Sequence, residues 1–267
     1  MKNKVVIITG ASSGIGKACA LEFANGGASV VLAARNQSRL DSVVDQIKST
    51  KGQAISVVAD VSKQEDCKNL IEVAIANFGK IDVLVNNAGI SMRAILENTE
   101  ISVIEKVMKI NFFGTVYCTK YALPHLLKQK GSVVGVSSIA GYKGLPARTG
   151  YSASKFAMQG FLESLRLENL KKGLHVLIAC PGFTASNIRN TALDKDGNVQ
   201  SESPRNEQKM MSAKQVAQYI VRAVQKRQNS LILTLNGKLT VFLNKFFPKL
   251  VDKLVYSHLK KEPNSPF

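Results

Sequence analysis

The strongest constraint on the fold is an alternation along the chain of short, almost wholly apolar runs with longer amphipathic stretches. Lys4–Thr9, Ala28–Ala34, Ala54–Ala59, Ile81–Val85, Ser132–Ser137, His175–Cys180 and Ser230–Leu235 read as strands. Most are apolar along nearly their whole length, as in a parallel sheet covered on both faces. Gly14–Asn25, Ser38–Thr50, Lys63–Phe78, Ile101–Gln129, Tyr151–Lys171 and Ala213–Lys226 fill the intervals as helices. This order predicts βαβ units, and so an α/β fold: a doubly wound parallel sheet of about seven strands with helices on both faces. Ligands then bind beyond the carboxyl ends of the strands, where the strand order reverses.

Composition narrows the options. The 267 residues suffice for one large domain with a sizeable core. A hydrophobic fraction of 45% excludes a mostly disordered chain. No collagen, heptad or solenoid period is present. There is no uninterrupted apolar run of about 18 residues, the length of a spanning helix. The apolar run Val5 to Ile8 is too short for the core of a signal peptide and reads better as a strand. Cys19, Cys67, Cys118 and Cys180 are far apart, with no C-x-x-C pair, which argues against a disulfide framework or a zinc site and for a reducing, cytoplasmic setting. Three histidines give little material for metal ligation, so no metal is expected. The 36 Lys and Arg against 19 Asp and Glu, a formal charge of +17, favour anionic partners, with general solubility as the plainer reading.

The first strand runs into Thr9-Gly10-Ala11-Ser12-Ser13-Gly14-Ile15-Gly16, and a helix follows. Glycines there allow a tight turn and let backbone N–H groups approach a pyrophosphate at a helix N-terminus. Gly10, Ser12, Ser13, Gly14, Ile15 and Gly16 are the candidate cradle. A dinucleotide site often adds a carboxylate about 20 residues on for the ribose 2′-hydroxyl. No Asp or Glu occurs from Phe23 to Leu40; the second strand ends at Ala34-Arg35-Asn36, with Arg39 nearby. A guanidinium suits a 2′-phosphate by charge and forked geometry, pointing to NADP(H). The plain alternative is a solvated arginine at a strand end.

Tyr151 and Lys155 stand four apart on an expected helix, so their side chains share a face. A nearby ammonium favours phenolate, so the pair could form an acid/base phenol with a lowered pKa. Tyr and Lys at this spacing also pack simply stem on ring. Ser138 ends the fifth strand, 13 residues before Tyr151, where its hydroxyl could donate to a substrate carbonyl.

The T-G-x-x-x-G-x-G turn resembles that of the short-chain dehydrogenase/reductase family, and the resemblance extends over about residues 4–236. It implies a Rossmann-type fold and hydride transfer between NADP(H) and a carbonyl carbon. Asp60-Val61 resembles the family's adenine-contacting pair. Asn86-Asn87-Ala88-Gly89 matches its N-N-A-G motif, with part of that role structural. The resemblance makes Tyr151 the proton carrier and Ser138 the group that polarises the carbonyl. Lys155 then tunes Tyr151 and holds the nicotinamide ribose, and Asn111 completes a water relay to Lys155. Pro181-Gly182 matches a P-G motif, and Thr184 or Ser186 could bond the carboxamide. A non-catalytic NADP(H) sensor on the same fold is the rival, and intact Ser138, Tyr151 and Lys155 argue against it. Nucleic-acid binding lacks a zinc-finger or RNP motif. Family members commonly form dimers or tetramers.

Two segments break the rhythm. Phe183–Met211 is polar and reads as a mobile lid. Beyond a nucleotide-binding and catalytic domain at 1–236, the segment 237–267 reads as a basic amphipathic extension. Leu239, Phe242, Leu243, Phe246 and Phe247 recur at helical spacing, Pro248 interrupts, and Leu250, Val251, Leu254, Val255 and Leu259 repeat the pattern. Such a segment packs over the cleft or a partner subunit, or it lies in a membrane interface. It looks like the extensions of lipid-active family members, which suggests an apolar, lipid-like ketone.

Overall fold

The computed structural model describes residues 1–200, 210–263 and 265–266. Among the described residues nine strands follow in chain order: β1 (Val5–Thr9), β2 (Ser29–Ala34), β3 (Gln53–Val58), β4 (Val83–Asn86), β5 (Ser132–Val136), β6 (His175–Cys180), β7 (Thr184–Ala185), β8 (Met211–Ser212) and β9 (Ser230–Ile232). Seven form one sheet in the order β3-β2-β1-β4-β5-β6-β9, with every pairing parallel. The order reverses between β1 and β4. The crevice therefore opens beyond Thr9 and Asn86.

Period-two alternation splits β1 between two cores. Val6 and Ile8 pack with residues of α1 (Gly14–Asn25), α2 (Gln37–Ser49) and α7 (Ala213–Gln225). Ile7 faces the other way, towards α3 (Gln64–Phe78), α5 (Gly114–Lys128) and α6 (Thr149–Glu168). Local chemistry sets the boundaries. Asn36 caps α2 by accepting from the Arg39 amide, Ser212 and Gln215 form a capping box on α7, and Gly79 ends α3 at φ +70°.

Three expectations are corrected. The single helix expected over Ile101–Gln129 is broken into α4 (Ile101–Met108), a π-helical turn (Lys109–Phe113) and α5. The periodicity alone carries no mark of that extra residue per turn. At Gly114 the chain meets Val61 so closely that a Cβ would lie 2.8 Å from its Cγ2. The last sheet strand stops at Ile232, because Thr234, at φ +64°, caps the next helix with its side chain. The segment 183–211 is partly built into the domain. β7 pairs with β8, Leu193 bridges to Met92 and Val199, and Ala192 and Leu193 are buried. Residues 201–209 of that expected lid lie outside the described residues.

The extension forms α8 (Leu235–Phe246) and α9 (Pro248–Lys260), and it docks on the loop after β5. Gly237 abuts Ile139, the Asn244 amide donates to the Tyr142 carbonyl at 3.2 Å, and Lys143 pairs with Asp252 at 2.5 Å. Leu235, Leu239, Phe242, Phe246, Phe247, Leu250 and Leu254 remain exposed. Among the described residues no helix is long and apolar enough to cross a membrane.

At the end of the sheet away from the crevice, buried Asp82 accepts from the Val5 amide (2.9 Å) and from Lys4 (2.8 Å), and it pairs with Lys80 at 3.2 Å. Burial pushes its carboxyl up, but these donors prevail and hold it below the ordinary 3.8. A depressed carboxyl stabilises the fold above its unfolded pKa and loses that contribution as pH falls. Asp82→Asn should cost about 1–3 kcal/mol at pH 7. In urea titrations the gap between variant and parent should narrow below pH 3.8.

Candidate active site

The crevice between β1 and β4 is built by close backbone approach. Gly10 sits at φ +65°, and a Cβ there would lie 2.9 Å from the Ala88 Cα and from the Asn87 Nδ2. A Cβ on Gly16 would collide with the Gly10 carbonyl oxygen. The buried Thr9 hydroxyl accepts from the Asn87 and Ala88 amides, both at 3.0 Å, and donates to the Val85 carbonyl at 3.4 Å. The Asn87 side chain donates to the carbonyls of Thr9 (3.0 Å) and Gly10 (3.2 Å). The N-N-A-G segment thus locks the glycine turn. At the start of α1, Ser13 makes no side-chain cap and the first turn holds no acidic residue. Its amides and partial positive charge suit a pyrophosphate. Ser12, Ser13, Gly14 and Ile15 are half-buried around this turn, and Ser186 closes on Gly14.

Next to the turn lies a pocket of about 260 Å³ lined by Arg35, Asp60, Ser62, Glu105, Lys106 and Lys109, among others. Arg35 thus stands with two lysines at a cavity wall, whereas Arg39 lies exposed on the first turn of α2 and does not line it. Burial raises the Asp60 carboxyl, but the Ser62 amide and hydroxyl and the charges of Arg35 and Lys63 hold it below its ordinary value. Val61 is buried against Gly114 and serves packing. The glycine cradle and the uncapped helix start together fit a dinucleotide.

Beyond β5 the chemistry converges. Lys155 is buried, its Nζ donates to the Val136 carbonyl at 2.9 Å, and it lies 5.8 Å from the centre of the Tyr151 ring. Burial pushes its amine down to about 8. Tyr151 departs from the expected direction: its phenol is raised above 10.0. Burial is the largest cause and outweighs a hydrogen bond from Ser138 and the charges of Arg148 and Arg189. The sequence predicts the opposite shift because it shows the neighbouring ammonium and not the loss of water. Ser138 Oγ also accepts from the Ala140 amide at 3.1 Å.

Asn111 is fully buried on the π turn. Its side chain donates to the Ile90 carbonyl and the Ser154 hydroxyl, both at 2.9 Å, and accepts from the Ile90 amide at 2.8 Å. Gly89 lies beside both Asn111 and Lys155, since a Cβ there would stand 3.1 Å from Asn111 Oδ1 and 3.6 Å from Lys155 Nζ. After β6, Pro181 is buried, Gly182 packs on Thr234, and the Thr184 hydroxyl donates to the Gly182 carbonyl at 3.2 Å. Sequence reasoning missed Arg148, Arg189, Ser154 and the anchoring hydroxyl of Thr9. Thr9 lay inside the quoted turn, but its partners come from a strand 76 or more residues away. Among the described residues no three His, Cys, Asp or Glu side chains cluster to hold a metal ion.

Residues 4–197 match the family described as short chain dehydrogenase. A Rattus norvegicus protein named dehydrogenase/reductase SDR family member 7B is 35% identical over 273 residues, covering 99% of this chain and 84% of its own. The 11-beta-hydroxysteroid dehydrogenase-like 2 of Arabidopsis thaliana is 44% identical over 187 residues, 69% of this chain and 60% of that protein. Among solved structures, a short chain dehydrogenase/reductase from Burkholderia phymatum in complex with NAD superposes with a TM-score of 0.84 and 26% identity, covering 93% of this chain and 95% of that one. An alcohol dehydrogenase from Thermococcus sibiricus complexed with 5-hydroxy-NADP shares the fold at TM-score 0.75 and 24% identity, covering 85% and 93%.

The buried amine has a consequence for stability. Below pH 8 the folded protein carries a desolvated ammonium that the unfolded chain keeps in water. Between about 8 and 10.5 the folded amine is neutral while the unfolded one still binds its proton, so stability rises with pH. Relative to Lys155→Met, the parent should gain roughly 3 kcal/mol across that window. Urea midpoints of the two proteins, measured from pH 7 to 10.5, check it.

Proposed function

Because this chain belongs to the short-chain dehydrogenase/reductase family, whose members are oxidoreductases using a nicotinamide dinucleotide, we propose that it is an NADP(H)-dependent reductase of an apolar, lipid-like ketone. The observation that carries the reading is the Ser138–Tyr151–Lys155 group, half-buried at the serine and the tyrosine and buried at the lysine. When bound, the reduced nicotinamide supplies the hydride to the carbonyl carbon. Tyr151 gives its proton to the carbonyl oxygen. Its raised pKa keeps it protonated at neutral pH, as a proton donor must be. Ser138 donates to the same oxygen and stabilises the charge that develops there. Lys155 holds the nicotinamide ribose, and its amine, near 8, is placed to return a proton to Tyr151. Asn111 keeps Ile90 and Ser154 in place around that route. The amides of the glycine turn would bind the pyrophosphate, Asp60 would border the adenine, and Pro181, Gly182, Thr184 and Ser186 would frame the nicotinamide.

Arg35 in its basic pocket supports a 2′-phosphate and hence NADP(H). The apolar substrate draws support from the hydroxysteroid dehydrogenase-like name of a relative and from the apolar residues of α8 and α9. Exposed Ile101, Phe113 and Phe156 on or beside α4–α6 support a homo-oligomer. The exposed apolar face of α8 and α9 among lysines supports peripheral contact with an anionic membrane surface. Light scattering against the 29.0 kDa monomer and sedimentation with phosphatidylserine vesicles test these two associations.

A panel of ketones with NADPH and NADH, followed by loss of nicotinamide absorbance, tests the activity. Tyr151→Phe should lower turnover at least about 100-fold while leaving NADPH binding intact. Arg35→Ser should weaken NADPH about tenfold or more and leave NADH unchanged. Turnover indifferent to Tyr151→Phe would sink the reading. Faster reduction of sugars and small polar ketones than of lipid ketones would remove its substrate class.

A further inference from the structure

Two arginines from distant segments converge beside the phenol. Arg93 follows β4 and Arg148 immediately precedes α6, yet both reach one carboxylate oxygen, Glu262 Oε2, at 3.8 Å and 3.5 Å. The three side chains are nearly out of solvent, at 11%, 12% and 6% exposure. Arg93 also donates to the Pro263 carbonyl at 2.7 Å. With Ser91, Arg189, Ala192 and Gln200 the two arginines line a small polar cavity, and Gln200 steadies the Arg93 backbone with a hydrogen bond of 2.8 Å. Tyr151 packs in the same apolar cluster as Met92, the residue before Arg93. Arg148 is three residues ahead of Tyr151, and the charges of Arg148 and Arg189 act on its phenol.

A fork of guanidiniums at a buried position favours an oxyanion, and removing that partner is costly. The fork therefore already displays its ligand chemistry, because it holds a carboxylate. That carboxylate arrives from residue 262, just past α9, whose buried contacts are Val251 and Leu259. Besides these two residues, α9 is tied to the domain by the Lys143–Asp252 pair and the Phe183–His258 ring contact, side-chain contacts rather than sheet pairing. Proton transfer through Ser138, Tyr151 and Lys155 makes no use of an arginine pair.

We propose that Arg93 and Arg148 form an oxyanion subsite for the substrate, that Glu262 fills it between turnovers, and that the ketone reduced at Tyr151 carries an anionic group that displaces Glu262. This rests on the reductase reading above and narrows its substrate to an amphiphile, with an apolar body and an acidic end.

The test uses a keto acid and its neutral twin: 9-oxodecanoate and its methyl ester, with NADPH. The wild-type protein should prefer the acid by about tenfold in kcat/KM, as expected for a buried charge-assisted contact. Glu262→Gln should lower KM for the acid several-fold and leave the ester unchanged, because the internal competitor loses its charge. Arg148→Ala should abolish the preference; Arg93→Gln gives the same reading if that variant does not fold. Inorganic phosphate should compete with the acid and not with the ester. No preference for the acid, or a KM raised equally for both compounds in Glu262→Gln, overturns the proposal and leaves a structural clasp. Thermal shifts separate the two layers of inference. If neither compound is turned over but the acid still raises the melting temperature, and more so in Glu262→Gln, the reductase reading falls and the subsite stands. If the acid produces no larger shift than the ester, the subsite falls.

Discussion

The tie between the ends of β1 and β4 is the constraint on which the rest of the site depends. One buried hydroxyl, on Thr9, holds two amides of the neighbouring strand's loop, and the Asn87 side chain returns two bonds to the glycine turn. These bonds pin backbones at a separation that leaves no room for a Cβ on Gly10 or Gly16. The first amides of α1 can then point into the crevice rather than towards a capping side chain. From the same loop, Ile90 is bonded at both its amide and its carbonyl by Asn111. The glycine turn and the Asn111–Ser154 pair are therefore braced through the same loop, residues 87–90.

Within that frame, removal of water and nearby charge act against each other. The ammonium of Lys155 lies close to Tyr151, yet burial dominates both groups, lowering the amine and raising the phenol. Both shifts favour the neutral forms, a phenol that keeps its proton and an amine that can release one. Two further cations, Arg148 and Arg189, also act on the phenol. Family motifs contain neither residue. The C-terminal segment meets the first of them with Glu262, at 3.5 Å.

The extension changes the balance between core and surface. Val241, Val251 and Leu259 turn inward, and polar bonds from Asn244, Asp252 and Glu262 fasten it to the loop after β5 and to the arginine fork. Phe242, Phe246, Phe247 and several leucines face outward. A helix pair that spends polar groups on its own domain and leaves its apolar side uncovered is suited to a second contact.

The sequence by itself determined the parallel sheet, since fully apolar strands need cover on both faces, and the seven sheet strands lie within about three residues of their expected limits. It also determined the glycine turn and the shared face of Tyr151 and Lys155, because both are consequences of local spacing. Tertiary structure alone decided the π turn that aims Asn111 inward, the early end of β9 at a strained Thr234, and the sign of the Tyr151 shift. It alone placed Arg93, Arg148 and Glu262 together across a separation of up to 169 residues. Periodicity and motif spacing report on neighbours within a few turns of chain. Desolvation and long-range charge pairing depend on which distant segments share a cavity, and no local pattern encodes that.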